Sequence, residues 1–158
     1  MRYNFYNEFA NTVKNNPQKV AVHDGDNSVT FSQLAERELK LASCINATNG
    51  GKIKTPVGIF LPKCVDLIAA DIGIIHSGNF YMNLDVKYPE ERLRNIFKIV
   101  QPSCIVTSTK YKSIMEAVDP NMPLVIVDEV TDNSIEKGFD DELAKRLELM
   151  IDTDPLCI

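Results

Sequence analysis

Apolar positions in this chain recur first at helical spacing, then at alternate residues, then in short solid runs. Phe5, Phe9 and Val13 stand four apart within Tyr3 to Asn15, which predicts a helix with one apolar stripe, ended by Asn15-Asn16-Pro17. Val20 and Val22, then Val29 and Phe31, alternate with polar neighbours around Asp24-Gly25-Asp26-Asn27, which predicts a β-hairpin. A second helix follows at once. Thr30 stands three before Gln33, the spacing of a capping box. Leu34, Leu41 and Ile45, with Ala35, Leu39 and Ala42, supply its apolar face, and Asn49-Gly50-Gly51 closes it.

From Pro56 onward the runs shorten and strands alternate with helices. Pro56 to Leu61 is nearly all apolar, the pattern of a parallel strand buried on both faces. Val65 to Ile75 predicts a helix that is apolar nearly all round and so covered on more than one side, with Gly78 as its stop. Phe80, Tyr81, Met82 and Leu84 give the next strand. Pro89 at the first helical position, followed by Glu90 and Glu91, opens a helix with Leu93, Ile96, Phe97 and Val100 as its stripe. Strands at Cys104 to Thr107 and Leu124 to Val127 flank a short helix from Tyr111 to Val118. The stretch from Thr131 to Met150 is polar and partly helical, with Leu143, Leu147 and Met150 on one side, and Pro155-Leu156-Cys157-Ile158 begins another apolar run. The whole predicts an α/β fold: a mainly parallel, doubly wound sheet with helices on both faces, preceded by a helix and a hairpin. Its 158 residues are expected to form one folded unit.

Composition narrows the function classes. Hydrophobic residues make up 44% and charged residues 25%, which excludes a disordered or collagen-like chain. No apolar stretch approaches a membrane span, and the first ten residues carry no signal-peptide pattern, so a cytoplasmic protein without membrane contact is expected. The net charge of −5 is concentrated near the C-terminal end, where residues 128–158 hold 10 acids and 3 bases. No Lys/Arg cluster exists, which argues against nucleic acid as a partner. The acidic end reads as a solvated surface.

Candidate chemistry is sparse. Cys44, Cys64, Cys104 and Cys157 are far apart, with no C-x-x-C pair and no histidine near them in sequence, so neither zinc nor a redox pair is expected. Cys104 and Cys157 lie in apolar runs and read as buried. His76 ends a helix, where its charge complements the dipole; a general base is the alternative. His23 reads as a surface residue. Asp85 follows a strand, where α/β folds place ligands, but an aspartate there also shapes turns, and Asp128 and Glu129 read the same way. No glycine-rich phosphate loop and no G-x-S-x-G elbow is present. The residues alone predict a soluble α/β domain without a complete active site.

The order of motifs says more than any one of them. Pro17 to Phe31 (PQKVAVHDGDNSVTF) with Ser32-Gln33-Leu34 resembles the opening of adenylate-forming, AMP-binding enzymes. Val57-Gly58-Ile59-Phe60-Leu61-Pro62 is similar to that family's V-x-I-x-L-P strand. Ile74 to Asp85 resembles its L-K-A-G-[AG]-x-Y-V-P-L-D motif, Tyr88-Pro89-Glu90-Glu91-Arg92-Leu93 its Y-P-x-E-R-[LI], and Cys104 to Thr107 its x-L-[IL]-T. Three departures stand out: Asn83 replaces the usual proline, His76-Ser77 replaces K-A, and Lys52 to Thr55 stand where a G-D is usual.

The resemblance covers roughly residues 3–130. It implies a parent ligase that uses Mg-ATP to activate a carboxylic acid as an acyl-adenylate, then passes the acyl group to a thiol of coenzyme A or a phosphopantetheine carrier. The Y-P-E-E-R-L form points to the amino-acid-activating branch, which includes nonribosomal peptide adenylation domains and D-alanine–carrier protein ligases. In that family a strand like Asp154-Pro155-Leu156-Cys157-Ile158 leads into a Ser/Thr/Gly-rich loop ending in Pro-Lys-Gly. The chain is therefore expected to be an N-terminal fragment, inactive alone and binding no cofactor by itself. No catalytic, cofactor-binding or metal-binding residue is carried over, because none has a matching motif. Its expected partners are the remainder of the parent chain and a carrier protein. Bare apolar surface on the helix at 65–75 and at 156–158 is expected to drive self-association. The alternative is a naturally short, non-catalytic binding module.

Overall fold

The computed structural model describes residues 5–132, 135, 139–151 and 153–158. Helix α1 (Phe5–Asn15) precedes an antiparallel hairpin, β1 (Val20–Asp24) and β2 (Asn27–Thr30). Helix α2 (Phe31–Thr48) then leads to β3 (Pro56–Phe60), α3 (Val65–His76), β4 (Phe80–Asn83), α4 (Glu90–Val100), β5 (Cys104–Thr107), α5 (Lys112–Val118), β6 (Leu124–Ile126) and α6 (Phe139–Leu149). Strands β3 to β6 form one parallel sheet in the order β4-β3-β5-β6. The α/β class, the parallel sheet and the preceding helix and hairpin are those read from the pattern.

Alternation along the strands divides the core into two layers. Val57 and Ile59 of β3, with Cys104 and Val106 of β5, face α1, α2, α3 and the hairpin. Phe60, Met82 and Ile105 face α4 and α5, meeting Leu93, Phe97, Met115 and Val118. A third cluster seats Phe139 and Leu143 of α6 on Ala42 of α2.

Several elements form for local reasons that the sequence announces. The Thr30 side chain accepts the Gln33 N–H while the Gln33 side chain accepts the Thr30 N–H, closing the capping box of α2. Gly78, at φ +82°, follows α3 in the left-handed region that favours glycine. Pro89 is the N-cap of α4 rather than its first helical residue, a shift of one position.

Other expectations need correction. Phe5 is exposed; Tyr6 and Phe9 carry the inner face of α1 instead, since the stripe drifts by one residue over its three turns. Val20 is exposed on the outer side of a two-stranded hairpin. Phe31 opens α2 rather than ending β2. Helix α3 is not left bare: its second side is covered by α2, and a Cβ at Gly73 would lie 2.8 Å from the Glu38 carbonyl oxygen. Cys104 is fully buried, but Cys157 is exposed, because residues 156–158 lie alongside the outer edge of β4 with only the Tyr81 bridge beside them.

Candidate functional site

In an open parallel sheet, a crevice forms where neighbouring strands send their connections to opposite faces. Here β3 leads to α3 on one face, while β4 and β5, on either side of it, lead to α4 and α5 on the other. The carboxyl end of β3, with the loop Leu61 to Cys64, is therefore the place to look.

The polar groups around it are engaged in building it. Thr107 Oγ1 donates to the Phe60 carbonyl oxygen at 2.9 Å, tying the ends of β5 and β3 together. Asp85 Oδ1 accepts the Lys87 N–H at 2.9 Å, so it shapes the turn into α4. Asp128 Oδ2 accepts the Thr109 N–H at 2.6 Å across the loops, and Glu129 is exposed in the same turn. Asp24 Oδ2 reaches from the hairpin to the Val65 N–H at 3.4 Å, at the first turn of α3. Beside it lies an open groove of about 460 Å³, lined by His23, Lys63, Cys64, Leu67 and Ile68. His23 is exposed, as read. No disulfide joins any of the four cysteines.

His76 is not at the surface end of its helix. It is buried, its ring stacks on Tyr6 at 3.6 Å, and Nδ1 lies 3.0 Å from Glu38 Oε2. The Tyr6 hydroxyl donates to the other oxygen, Glu38 Oε1, at 3.0 Å. The three side chains join α1, α2 and α3 in one buried polar contact. His76 thus pairs with a carboxylate between helices instead of serving the dipole alone.

Glu38 and Tyr6 were missed from sequence, although Glu38 sits between Leu34 and Leu41 on the apolar stripe of α2. Arg146 was missed likewise, three residues after Leu143 on α6. It is buried and donates to the Ser77 and Gly51 carbonyl oxygens, each at 3.2 Å, while pairing with Glu142. Asn79 completes this corner: its Oδ1 accepts from the Thr55 N–H and hydroxyl, and its Nδ2 donates to the Lys52 carbonyl oxygen.

Comparison with known proteins decides what these elements belong to. The family model described as AMP-binding enzyme matches residues 9–156. The chain belongs to the AMP-binding enzyme family. Among the curated relatives it matches, indigoidine synthase of Streptomyces lavendulae is 30% identical over 111 residues, 70% of this chain and 9% of its own length. Surfactin synthase subunit 1 of Bacillus subtilis (strain 168) is 25% identical over 121 residues, 77% of this chain and 3% of its own. The chain thus spans a small part of the curated relatives it matches. Among solved structures, VinN superposes on 99% of this chain with a TM-score of 0.78, 13% identity and 41% of its own chain covered. The nonribosomal peptide synthetase FmoA3, in its α-methyl-L-serine-AMP bound form, covers 83% of this chain and 15% of its own with a TM-score of 0.74 and 17% identity. These likenesses establish the shared fold.

An AMP-binding enzyme needs N–H groups and cations around a polyphosphate. Of the described glycines, Gly25, Gly50, Gly51 and Gly78 turn the chain at positive φ, Gly58 lies within β3 and Gly73 lies against α2. None opens a loop after a strand of the parallel sheet. Among the described residues no three of His, Cys, Asp or Glu are grouped to hold a metal ion. The described residues do not fit a Mg-ATP site. No described helix is long and apolar enough to cross a membrane.

Proposed function

We propose that this chain is the N-terminal scaffold portion of an ATP-dependent ligase that activates a carboxylic acid, in the first instance an amino acid. In the parent enzyme the carboxylate attacks the α-phosphate of ATP, expelling pyrophosphate and leaving an acyl-adenylate. A thiol on a carrier phosphopantetheine or coenzyme A then attacks the acyl carbon and AMP departs. The observation that supports this reading best is the family match across residues 9–156. On this reading the groups that hold ATP stand elsewhere in the parent. Residues 1–158 supply the sheet and helices against which those groups are positioned, and alone they catalyse nothing.

The test begins with the coding sequence past Ile158. A Ser/Thr/Gly-rich loop ending in Pro-Lys-Gly is expected there. The full product should show acid-dependent ATP–pyrophosphate exchange, and the purified 158-residue chain should show none. Exchange by the short chain would overturn the scaffold reading.

A second reading is favoured by the exposed Leu149, Ile151, Leu156 and Ile158. These residues would suit an interaction module that docks a partner. A stop codon after Ile158, together with a stable complex purified from native cells, would support that reading over the first.

A further inference from the structure

The last turn of α3 is gripped from two sides, by α1 and by α6. On one side His76 receives α1. Its ring stacks on Tyr6 at 3.6 Å, and Tyr6 and His76 each engage one oxygen of Glu38 at 3.0 Å. On the other side the next residue receives α6. The Ser77 carbonyl oxygen accepts from Arg146 Nη1 at 3.2 Å, and a Cβ at Gly78 would stand 3.6 Å from Arg146 Cβ. His76 and Ser77 are both buried, and the Ser77 hydroxyl donates to the Ile74 carbonyl oxygen at 2.8 Å, which fastens this turn to its helix.

Helix α2 repeats the arrangement. Glu38 meets α1, and Ala42, one turn later on the same face, carries Phe139 and Leu143 of α6. The seam between α2 and α3 is tight just there: a Cβ at Gly73 would lie 2.8 Å from the Glu38 carbonyl oxygen and 3.2 Å from the Ala42 nitrogen. A close-packed seam of this kind passes a displacement on rather than absorbing it. The apolar side chains of α1 and α6 belong to separate clusters. What the two helices share is their seat: adjacent residues of α3, and residues one turn apart on α2.

We propose that this shared seat interlocks α1 and α6, so that each helix docks more firmly when the other is in place. When α1 lifts, Tyr6 leaves both the His76 ring and Glu38, and the end of α3 loses the contacts that steady it. The Ser77 carbonyl oxygen is then no longer held in place for Arg146. When α6 lifts, the same carbonyl loses its guanidinium, and the turn that carries His76 toward Glu38 loosens. The effect is reciprocal, because a coupling free energy between two docking events belongs to both of them. Whatever binds and holds one helix therefore holds the other. The interlock stands on these contacts alone, whether or not the chain is part of a ligase.

The experiment is amide hydrogen exchange by NMR on the 158-residue chain, with α1, α6 and α5 read separately. Helix α5 packs in the layer on the other face of the sheet and serves as the control. Tyr6→Phe keeps the ring and removes the hydroxyl that donates to Glu38. It should lower protection in α1 and also, by about threefold, in α6, with α5 level. Arg146→Lys should lower protection in α6 and also, by about threefold, in α1. In the double variant each helix should lose less than the product of the two single losses. A level α6 in Tyr6→Phe overturns the interlock. An equal fall in α6 and α5 overturns it too, as a general loss of stability, and so does a double variant that loses the full product. If Arg146→Lys does not fold, Glu142→Ala takes its place by withdrawing the carboxylate 2.6 Å from the guanidinium. Protection in α1 should then fall, and a level α1 overturns the proposal.

Discussion

Replacing Gly73 by alanine sets two opposing effects against each other at one atom. Alanine in a helix interior is favoured over glycine by about 1 kcal/mol. The added Cβ, however, would stand 2.8 Å from the Glu38 carbonyl oxygen, 3.2 Å from the Ala42 backbone nitrogen and 3.4 Å from Leu41 Cβ. The first two are backbone atoms of α2, so neither can rotate aside. The helices must part by several tenths of an ångström along their length, which loosens contacts on both sides of the seam. Overpacking of this kind costs about 1–3 kcal/mol, and a rigid backbone neighbour puts it at the upper end. The net loss should be about 2 kcal/mol, or about 4–8 °C in melting temperature for a chain of this size. Gly58 supplies the internal control. A Cβ there would meet Ile105 Cδ1, but that atom is the far end of a side chain that can change rotamer. Gly58→Ala should therefore cost clearly less than Gly73→Ala. Thermal and urea unfolding of both variants would measure the difference. A Gly73→Ala protein as stable as the wild type would refute the close approach of α2 and α3.

Four further outcomes follow from contacts already described. Thr30→Ala removes the capping box of α2 and should lower stability by about 1 kcal/mol, with Thr30→Ser restoring most of it in urea titrations. Glu38→Ala takes the acceptor from the Tyr6 hydroxyl and the partner from His76, and should lower stability by about 3 kcal/mol, read as a lower urea midpoint at unchanged slope. Arg146→Lys keeps the charge but cannot reach the Ser77 and Gly51 carbonyl oxygens together, so amide protection in α6 should fall, whereas a level profile would show that the fork is dispensable. Burial pushes the Cys104 thiol up to about 12, so alkylation near pH 8 followed by peptide mapping should label the exposed Cys157 and leave Cys104 unmodified in the folded protein.

The elements were legible in the sequence because each carries its own punctuation. Thr30 with Gln33, Gly78 and Pro89 mark helix ends by local chemistry, and Cys104 to Thr107 is a solid apolar run at its true length. Burial was legible wherever one periodic face sufficed, as for Leu93 and Phe97. What escaped were polar residues placed on apolar stripes. Glu38 and Arg146 each occupy a core position, and the partners that make this tolerable are remote in sequence: His76 and Tyr6 for one, Ser77 and Gly51 for the other. Periodicity sees one helix at a time and cannot see who pairs across a seam. The apolar round of α3 announced that it is covered on more than one side, but not that α2 supplies the cover, which depends on a glycine that lets α2 approach. Cys157 failed for a different reason: an apolar run predicts a strand, but not whether that strand has neighbours on both sides. The candidate site was legible only as a location. Asp85 and Asp128 were correctly placed at strand ends, and the structure adds that each spends its carboxylate on a backbone N–H.

The strand order also sets how the sheet can be assembled. Strand β3, the first of the parallel set along the chain, lies inside it, with β4 added on one side and β5 on the other. β6 then extends the side of β5, and residues 156–158 extend the side of β4. Each newcomer therefore meets an edge that is already present and open. None of the described strands has to be wedged between two that have already joined. A chain emerging from the ribosome can build this sheet by accretion, outward in both directions, without ever undoing a pairing it has made.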